Sequence, residues 1–240
     1  MKFTDLHIHL LYGVDDGARD AGMMKKMVDR IYAEGTRTVC ATPHCSGKLS
    51  GSNPDGILPA FEELKAYAAK YPDLTVCLGN ELRYSQNSIE AIRGNNCRTL
   101  NGSRCVLIDF DENEEEKTIS NGLHRILNAG YVPVLAHVER YRKLSVRPED
   151  LNRLRKDGVI IQVDATSVFG GWGFSAKIRS RKILKNFCAD VVASDGHDLV
   201  SRPPELVRCF EFVVKKCGTS YAEALFDTNP GRILSDLDLK

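Results

Sequence analysis

The chain has 240 residues, 42% hydrophobic and 27% charged, which is enough to bury a sizeable core without disulfide staples. Its 33 basic and 32 acidic residues leave a formal net charge of +1, a balance that gives no reason to expect a nucleic-acid or membrane-surface partner. The opening MKFTDLHIHL turns polar at once, no apolar run is long enough for a bilayer span, and the eight cysteines form no CxxC pair. A cytoplasmic protein with small buried thiols is expected.

Short β-like runs alternate with helical patterns along the whole chain. The runs are FTDLHIH, RTVCATP, LTVCLGNE, RCVLIDF, VPVLAH, VIIQVDA and DVVASD. In the first, alternation puts Leu6, Ile8 and Leu10 on one face and Asp5, His7 and His9 on the other. After it, Ala21, Met24, Val28 and Ile31 repeat at helical spacing, with Gly35 placed to end the helix. LPAFEELKAYAAKY, PEDLNRLRKDG and RPPELVRCFEFVVKKCG read similarly, and Pro148, Pro203 and Pro204 suit helix first turns. Seven strands alternating with helices argue for an α/β protein with a mainly parallel sheet, open or closed. GSNPDG (51–56) and FGGWGF (169–174) read as loops rather than linkers, so a single domain over residues 1–240 is expected.

The polar residues concentrate at strand ends. His7 and His9 close the first run and project the same way, ATPH ends the second with His44, and LGNE ends the third with Glu81. VLIDF carries Asp109, VLAH ends in His137, and VVASDGH ends in Asp195 and His197. One HxH pair is common and usually means nothing. Five of six histidines at the carboxyl ends of strands, where parallel α/β folds build their sites, mean more. His124, in the helical GLHRILNAG, is the exception and reads as a surface or packing residue. Imidazole plus carboxylate without thiolate suits Zn, Fe, Mn or mixed sites, and so many ligands exceed one ion's needs. Two or three divalent ions would also reconcile the crowded acids, which would otherwise repel one another.

DLHIH, the DDG after it, ATPH, Glu81, AHVERY and ASDGH resemble, in order, the blocks of the PHP (polymerase and histidinol phosphatase) superfamily. HIHLLYGVDDGARD, GNELRY and SDGHDLVSRPP are similar to the bacterial tyrosine-protein phosphatases of capsule and exopolysaccharide operons, over residues 3–235. The resemblance implies a distorted (β/α)7 TIM-like barrel. It also implies one ion on His7, His9, Glu81 and Asp195, a second on Glu81, Asp109 and His137, and a third on Asp16, His44 and His197. The family usually has Glu where this chain has Asp109. Asp15 is expected to shape the turn, Asp5 to orient His7, and Tyr12 to stand at the pocket rim with the loops 47–56 and 167–175. Arg140 and Arg202 match phosphate-holding positions, with Arg19 and Arg83 outer at best.

The chemistry implied is hydrolysis of phosphotyrosine by a metal-bridging hydroxide, with manganese first among Mn, Fe, Mg and Zn. Glu81, His44, His137, Arg140 and Arg202 carry it, with His44, His137 or Asp198 available as a proton donor. The implied substrate is the tyrosine-rich tail of a cognate bacterial tyrosine kinase. A small-molecule phosphatase such as a histidinol-phosphate phosphatase, or a silent regulator on the same scaffold, is the alternative. CLGNELR also satisfies the C-x5-R spacing of cysteine-dependent phosphatases, but Cys77 sits mid-strand and Glu81 would oppose a phosphate dianion.

Overall fold

The computed structural model describes residues 2–45 and 54–239. Its centre is a set of parallel strands: β1 (Phe3–Ile8), β2 (Thr36–Ala41), β3 (His44–Cys45), β4 (Thr75–Leu78), β5 (Glu81–Arg83), β6 (Cys105–Asp109), β7 (Val132–Leu135), β8 (Ile160–Asp164) and β9 (Val191–Ala193). They pair in the orders β1-β2-β4 and β3-β5-β6-β7-β8-β9. These are the seven expected strands, two of them broken. Thr42 and Pro43 interrupt one strand into β2 and β3, and Gly79 and Asn80 interrupt the next into β4 and β5. The breaks run side by side, because Gly79 N donates to Ala41 O at 2.9 Å and Glu81 N to Pro43 O at 3.1 Å.

The curled sheet returns to its start at the strands' carboxyl ends. Asp195 N donates to His7 O and His9 N to Gly196 O, both at 2.9 Å, so the segment after β9 lies against β1. Inside the curl, Leu6, Cys40, Cys77, Leu107, Val134 and Val191 form one buried cluster, joined by Ile233 and Leu234 of α9 (Asn229–Leu234). Here the simple alternation of β1 fails. The β1–β2 ladder is irregular between Asp5 and Ile8, so Leu6 faces this interior while Ile8 and Leu10 pack outward with Met24 and Ile31.

The covering helices start and stop for local reasons. Asp20 caps α1 (Ala21–Ala33) by accepting from Met23 N at 2.7 Å, and Gly35 follows its end at φ +101°. Pro148 opens α5 (Pro148–Lys156) as expected. Pro203 and Pro204 do not open a helix. The next helix, α7 (Val207–Cys217), starts three residues later, and Pro204 instead packs on Gly196. Among the described residues all eight cysteines are free thiols, and no helix is long and apolar enough to cross a membrane.

Candidate metal centre

The broken strands set the site. Register pairs His44 with Glu81, Glu81 with Leu107 and Arg83 with Asp109, which puts His44 and Glu81 level and Asp109 two residues further along the next strand. β1 and the residue after it deliver His7 and His9 into the same space, and His137 and Asp195 follow two residues after the ends of β7 and β9. Both of those residues adopt the left-handed backbone, at φ 33° and φ 51°. For residues that carry a Cβ this conformation costs energy, and its occurrence at two ends aimed into one site marks a constraint that the fold sustains.

Three groups of donor atoms result, each with all its atoms within 4.8 Å of one another: His7, His9, Glu81 and Asp195; Glu81, Asp109 and His137; and His9, Asp16, His44 and His197. Glu81 is shared by the first two and His9 by the first and third. Glu81 Oε2 lies 2.9 Å from His44 Nδ1 and 3.3 Å from Nε2 of both His7 and His9, yet makes no hydrogen bond among the described residues. His7 Nε2 and His9 Nε2 face each other at 3.3 Å. Buried nitrogens and oxygens converge here on common points instead of pairing off, which is how a ligand set that shares cations is built.

Burial and neighbouring charges pull these groups in opposite directions. Burial alone would push His7 down, but the carboxylates of Glu81 and Asp195 hold it up at about 10. Burial, with Glu81 beside it, pushes Asp109 up to about 7. His137 is driven down to about 4 by burial and by Arg140, so it stays neutral at physiological pH, the state a metal ligand needs. For Asp16, burial is outweighed by contacts from His197, His44 and Arg202, and its carboxyl is held far below the usual range.

Beside the donors, a cavity of about 360 Å³ opens to solvent, lined among others by Arg83, Asp109, Arg140, Trp172 and Arg202. Arg140 Nη2 donates to Asp195 Oδ2 at 2.6 Å and also to Asp164. Arg202 Nη2 donates to Asp16 Oδ2 at 2.6 Å. Each arginine is thus fixed by a carboxylate that also belongs to a donor group, and the cavity can hold an anion next to cations.

The profile of a family described as capsular polysaccharide synthesis, CpsB/CapC, matches residues 3–235. The chain belongs to the CpsB/CapC family. It is similar to the tyrosine-protein phosphatase CpsB of Streptococcus pneumoniae, 32% identical over 97% of this chain and 98% of that protein. A crystal structure from work on YwqE of Bacillus subtilis and CpsB of Streptococcus pneumoniae, metal-dependent tyrosine phosphatases, superposes with a TM-score of 0.88 at 26% identity, covering 100% of this chain and 96% of that one. A lactonase from Listeria monocytogenes shares the fold at a TM-score of 0.63 and 12% identity, over 98% of this chain and 95% of that one.

In this CpsB/CapC chain every residue expected in a ligand role reaches the donor groups, and both expected arginines line the cavity. The surroundings differ from expectation. His7 Nδ1 meets Gln162 Oε1 at 3.1 Å, whereas Asp5 accepts backbone N–H groups from His7 at 3.3 Å and Ser194 at 3.1 Å. Asp5 therefore ties β1 to the end of β9 and does not orient the ring. Asp15 does shape the turn, accepting from Gly17 N at 2.9 Å, but its other oxygen sits 2.8 Å from His9 Nδ1 and so orients that ring. Gly17 is required there, since a Cβ would fall 2.4 Å from His9 O.

Three further expectations change. Asp198 is held down at about 2 despite partial burial, through hydrogen bonds from Ser201, Val200 and Arg202; it caps the 198–202 turn and is ionised, so it is no proton donor at neutral pH. Tyr12 bonds Glu63 at 2.7 Å and does not line the cavity. Arg83 does line it, with Nε 3.2 Å from Asp109 Oδ2, whereas Arg19 only pairs with its neighbour Asp20 in solvent. Of the expected rim, Trp172 lines the cavity, while residues 47–53 lie outside the described residues. His124 is exposed on α4 (Glu116–Asn128), as expected. Cys77 is buried in the sheet interior with its thiol pushed up by burial, so the C-x5-R match carries no nucleophile.

Proposed function

We propose that this chain is a metal-dependent protein-tyrosine phosphatase whose ions sit on the three donor groups: His7, His9, Glu81 and Asp195; Glu81, Asp109 and His137; and Asp16, His44 and His197 with His9 alongside. The observation that carries the reading is the placement of Arg140 and Arg202 at one cavity, each tied to a carboxylate of the donor groups. Family membership and a relative named tyrosine-protein phosphatase support it. When bound, divalent ions supply an activated water and polarise the phosphoryl oxygens.

The protein's own residues do the rest. Arg140 and Arg202 grip the non-bridging oxygens and balance the charge that builds on them. Asp164 and Asp195 orient the first guanidinium and Asp16 the second. The departing phenolate has a pKa of ≈10 and leaves without a strong proton donor. Of the three expected donors His137 is held neutral and Asp198 ionised, while His44, which burial would push down but Glu81 and Asp16 raise to about 9, is the one that can carry a proton. Manganese is the ion we favour. The substrate we infer is the tyrosine-rich tail of a cognate bacterial kinase that governs polysaccharide export, met in the cytoplasm by residues 1–240 acting as one domain.

The test compares a phosphotyrosine peptide, p-nitrophenyl phosphate and histidinol phosphate as substrates of the full chain, with and without chelator. Hydrolysis of the first two, lost on chelation and restored by manganese, is expected. Preference for histidinol phosphate would make it a small-molecule phosphatase. A folded, ion-loaded protein that hydrolyses none of them would overturn the reading.

A further inference from the structure

Trp172 is the one tryptophan of the chain, and its place at the cavity is built by several contacts. Its ring centroid lies 3.6 Å from Arg140 Cζ and 6.0 Å from Arg202 Cζ, so the indole spans both anion-holding guanidinia. The loop that carries it is anchored on the carboxylate that fixes Arg140. Asp164 Oδ1 accepts from Thr166 N at 2.7 Å and from Thr166 Oγ1 at 3.0 Å. Gly171 N then donates to Thr166 O at 3.1 Å and Gly173 N to Gly170 O at 3.0 Å. Gly173, at φ +85°, makes the turn that lets α6 (Gly173–Lys185) leave directly after the indole. One acid thus sets both the arginine and the ring above it.

The other walls offer no comparable surface. Apart from the histidines, the second ring on the cavity is Phe110. It is 3% exposed and packs against Tyr84 and Tyr141, with centroids 4.8 and 6.2 Å away. Trp172 is half-buried, leaving part of its ring free. The remaining lining is charged or polar, including Asp111, Glu112 and Asn113.

We infer that Trp172 selects aryl over alkyl phosphate esters, its indole forming the wall on which the substrate's ring stacks while Arg140 and Arg202 hold the phosphoryl group. The inference rests on the phosphatase reading above and adds to it the residue that distinguishes phosphotyrosine from phosphoserine. An anion bound by both guanidinia lies against the indole, and the ring of an aryl ester begins one bond beyond the bridging oxygen. An alkyl ester presents nothing to stack there.

The test uses phenylphosphonate and methylphosphonate, which share a head group and are not hydrolysed, with the full chain loaded with divalent ion. The wild type is expected to bind phenylphosphonate about tenfold more tightly, the scale of one aromatic pair. Trp172→Leu is expected to abolish that preference and to weaken methylphosphonate by no more than about threefold, the loss of an exposed cation–π contact. Trp172→Phe keeps most of the preference and serves as the conservative control. With one tryptophan, indole fluorescence reads the contact directly, and phenylphosphonate should perturb it more than methylphosphonate does. Equal weakening of both phosphonates by Trp172→Leu would reduce Trp172 to positioning the arginines and overturn the proposal, as would a preference that survives the substitution. A wild type that hydrolyses phosphotyrosine peptide but binds both phosphonates equally loses this proposal and keeps the phosphatase reading. One that binds neither and hydrolyses nothing loses both.

Discussion

Arg140 donates to Asp195 Oδ2 at 2.6 Å, and the other oxygen of the same carboxylate lies 3.1 Å from His7 Nε2. Anion binding and cation binding are therefore joined through one buried acid. Arg140→Ala is expected to lower kcat/KM by about 10²–10³. It should also weaken ion binding in the first donor group, since Asp195 loses the partner that orients it. Arg140→Lys should rescue little, because an ammonium cannot reach Asp164, Asp195 and a phosphoryl oxygen as a planar fork does. Metal content and phosphate affinity measured on both variants decide this; full activity in the Lys variant would sink it.

Gln162 carries a related expectation. Its Oε1 lies 3.1 Å from His7 Nδ1 and accepts from His137 N at 3.1 Å, so one amide oxygen holds two of the proposed ligands. Gln162→Leu should reduce ion affinity by about 10–100-fold while the protein stays folded. A metal titration of the variant with unchanged affinity would show that the amide is only filling space.

The acid Asp109 should make the ion-free protein sensitive to pH. Burial and Glu81 raise it from its ordinary value to about 7. The folded chain then holds a proton that the unfolded chain releases, so this stabilising contribution is complete below the ordinary carboxylate pKa and is lost as pH rises toward 7. Asp109→Asn, which keeps the neutral state permanently, should match the wild type at about pH 4 and exceed its Tm on the order of 5 °C at about pH 8, both free of ions. The same proton competes with an ion, so wild-type metal affinity should fall below pH 7. Equal Tm values at both pH values would remove the assignment.

Cys77 lies in the interior of the curled sheet, at 7% exposure. Cys77→Ser should leave kcat per folded molecule within about twofold while costing roughly 1–3 kcal/mol of stability, because a hydroxyl replaces a small apolar group there. His7→Ala and Glu81→Ala should remove activity. Loss of turnover in a folded Cys77→Ser protein that ignores chelators would return the C-x5-R reading to contention.

The donor residues were legible because histidines and acids stood at the ends of β-like runs, where a parallel sheet gathers them whatever its closure. Their division into three sets rested on the family resemblance and not on order along the chain, since the first set joins β1, β5 and the segment after β9. The supporting residues were harder. Gln162 and Asp164 stand at alternate positions in VIIQVDA, a run buried on both faces, and a polar side chain kept inside such a run is a signal that it has a partner. Which partner it meets depends on the curl of the sheet, and no local pattern carries that. Asp15 was assigned one role from its turn, but a carboxylate has two oxygens and each found a different use. The ladder irregularity in β1, which sends Leu6 inward, breaks a rule of alternation that holds only for unbroken pleats.

The contact that brings the segment after β9 against β1 also sets an order of events. Ser194 N donates to Asp5 Oδ1 at 3.1 Å across 189 positions of sequence, and His7 meets Asp195 at that same seam. A chain emerging from the ribosome cannot assemble the first donor group until its last strand has been made. Its earlier segments can bring together Glu81, Asp109 and His137 but neither of the other two groups, and ions held in those groups, as proposed above, would clasp the join between β1 and the segment after β9.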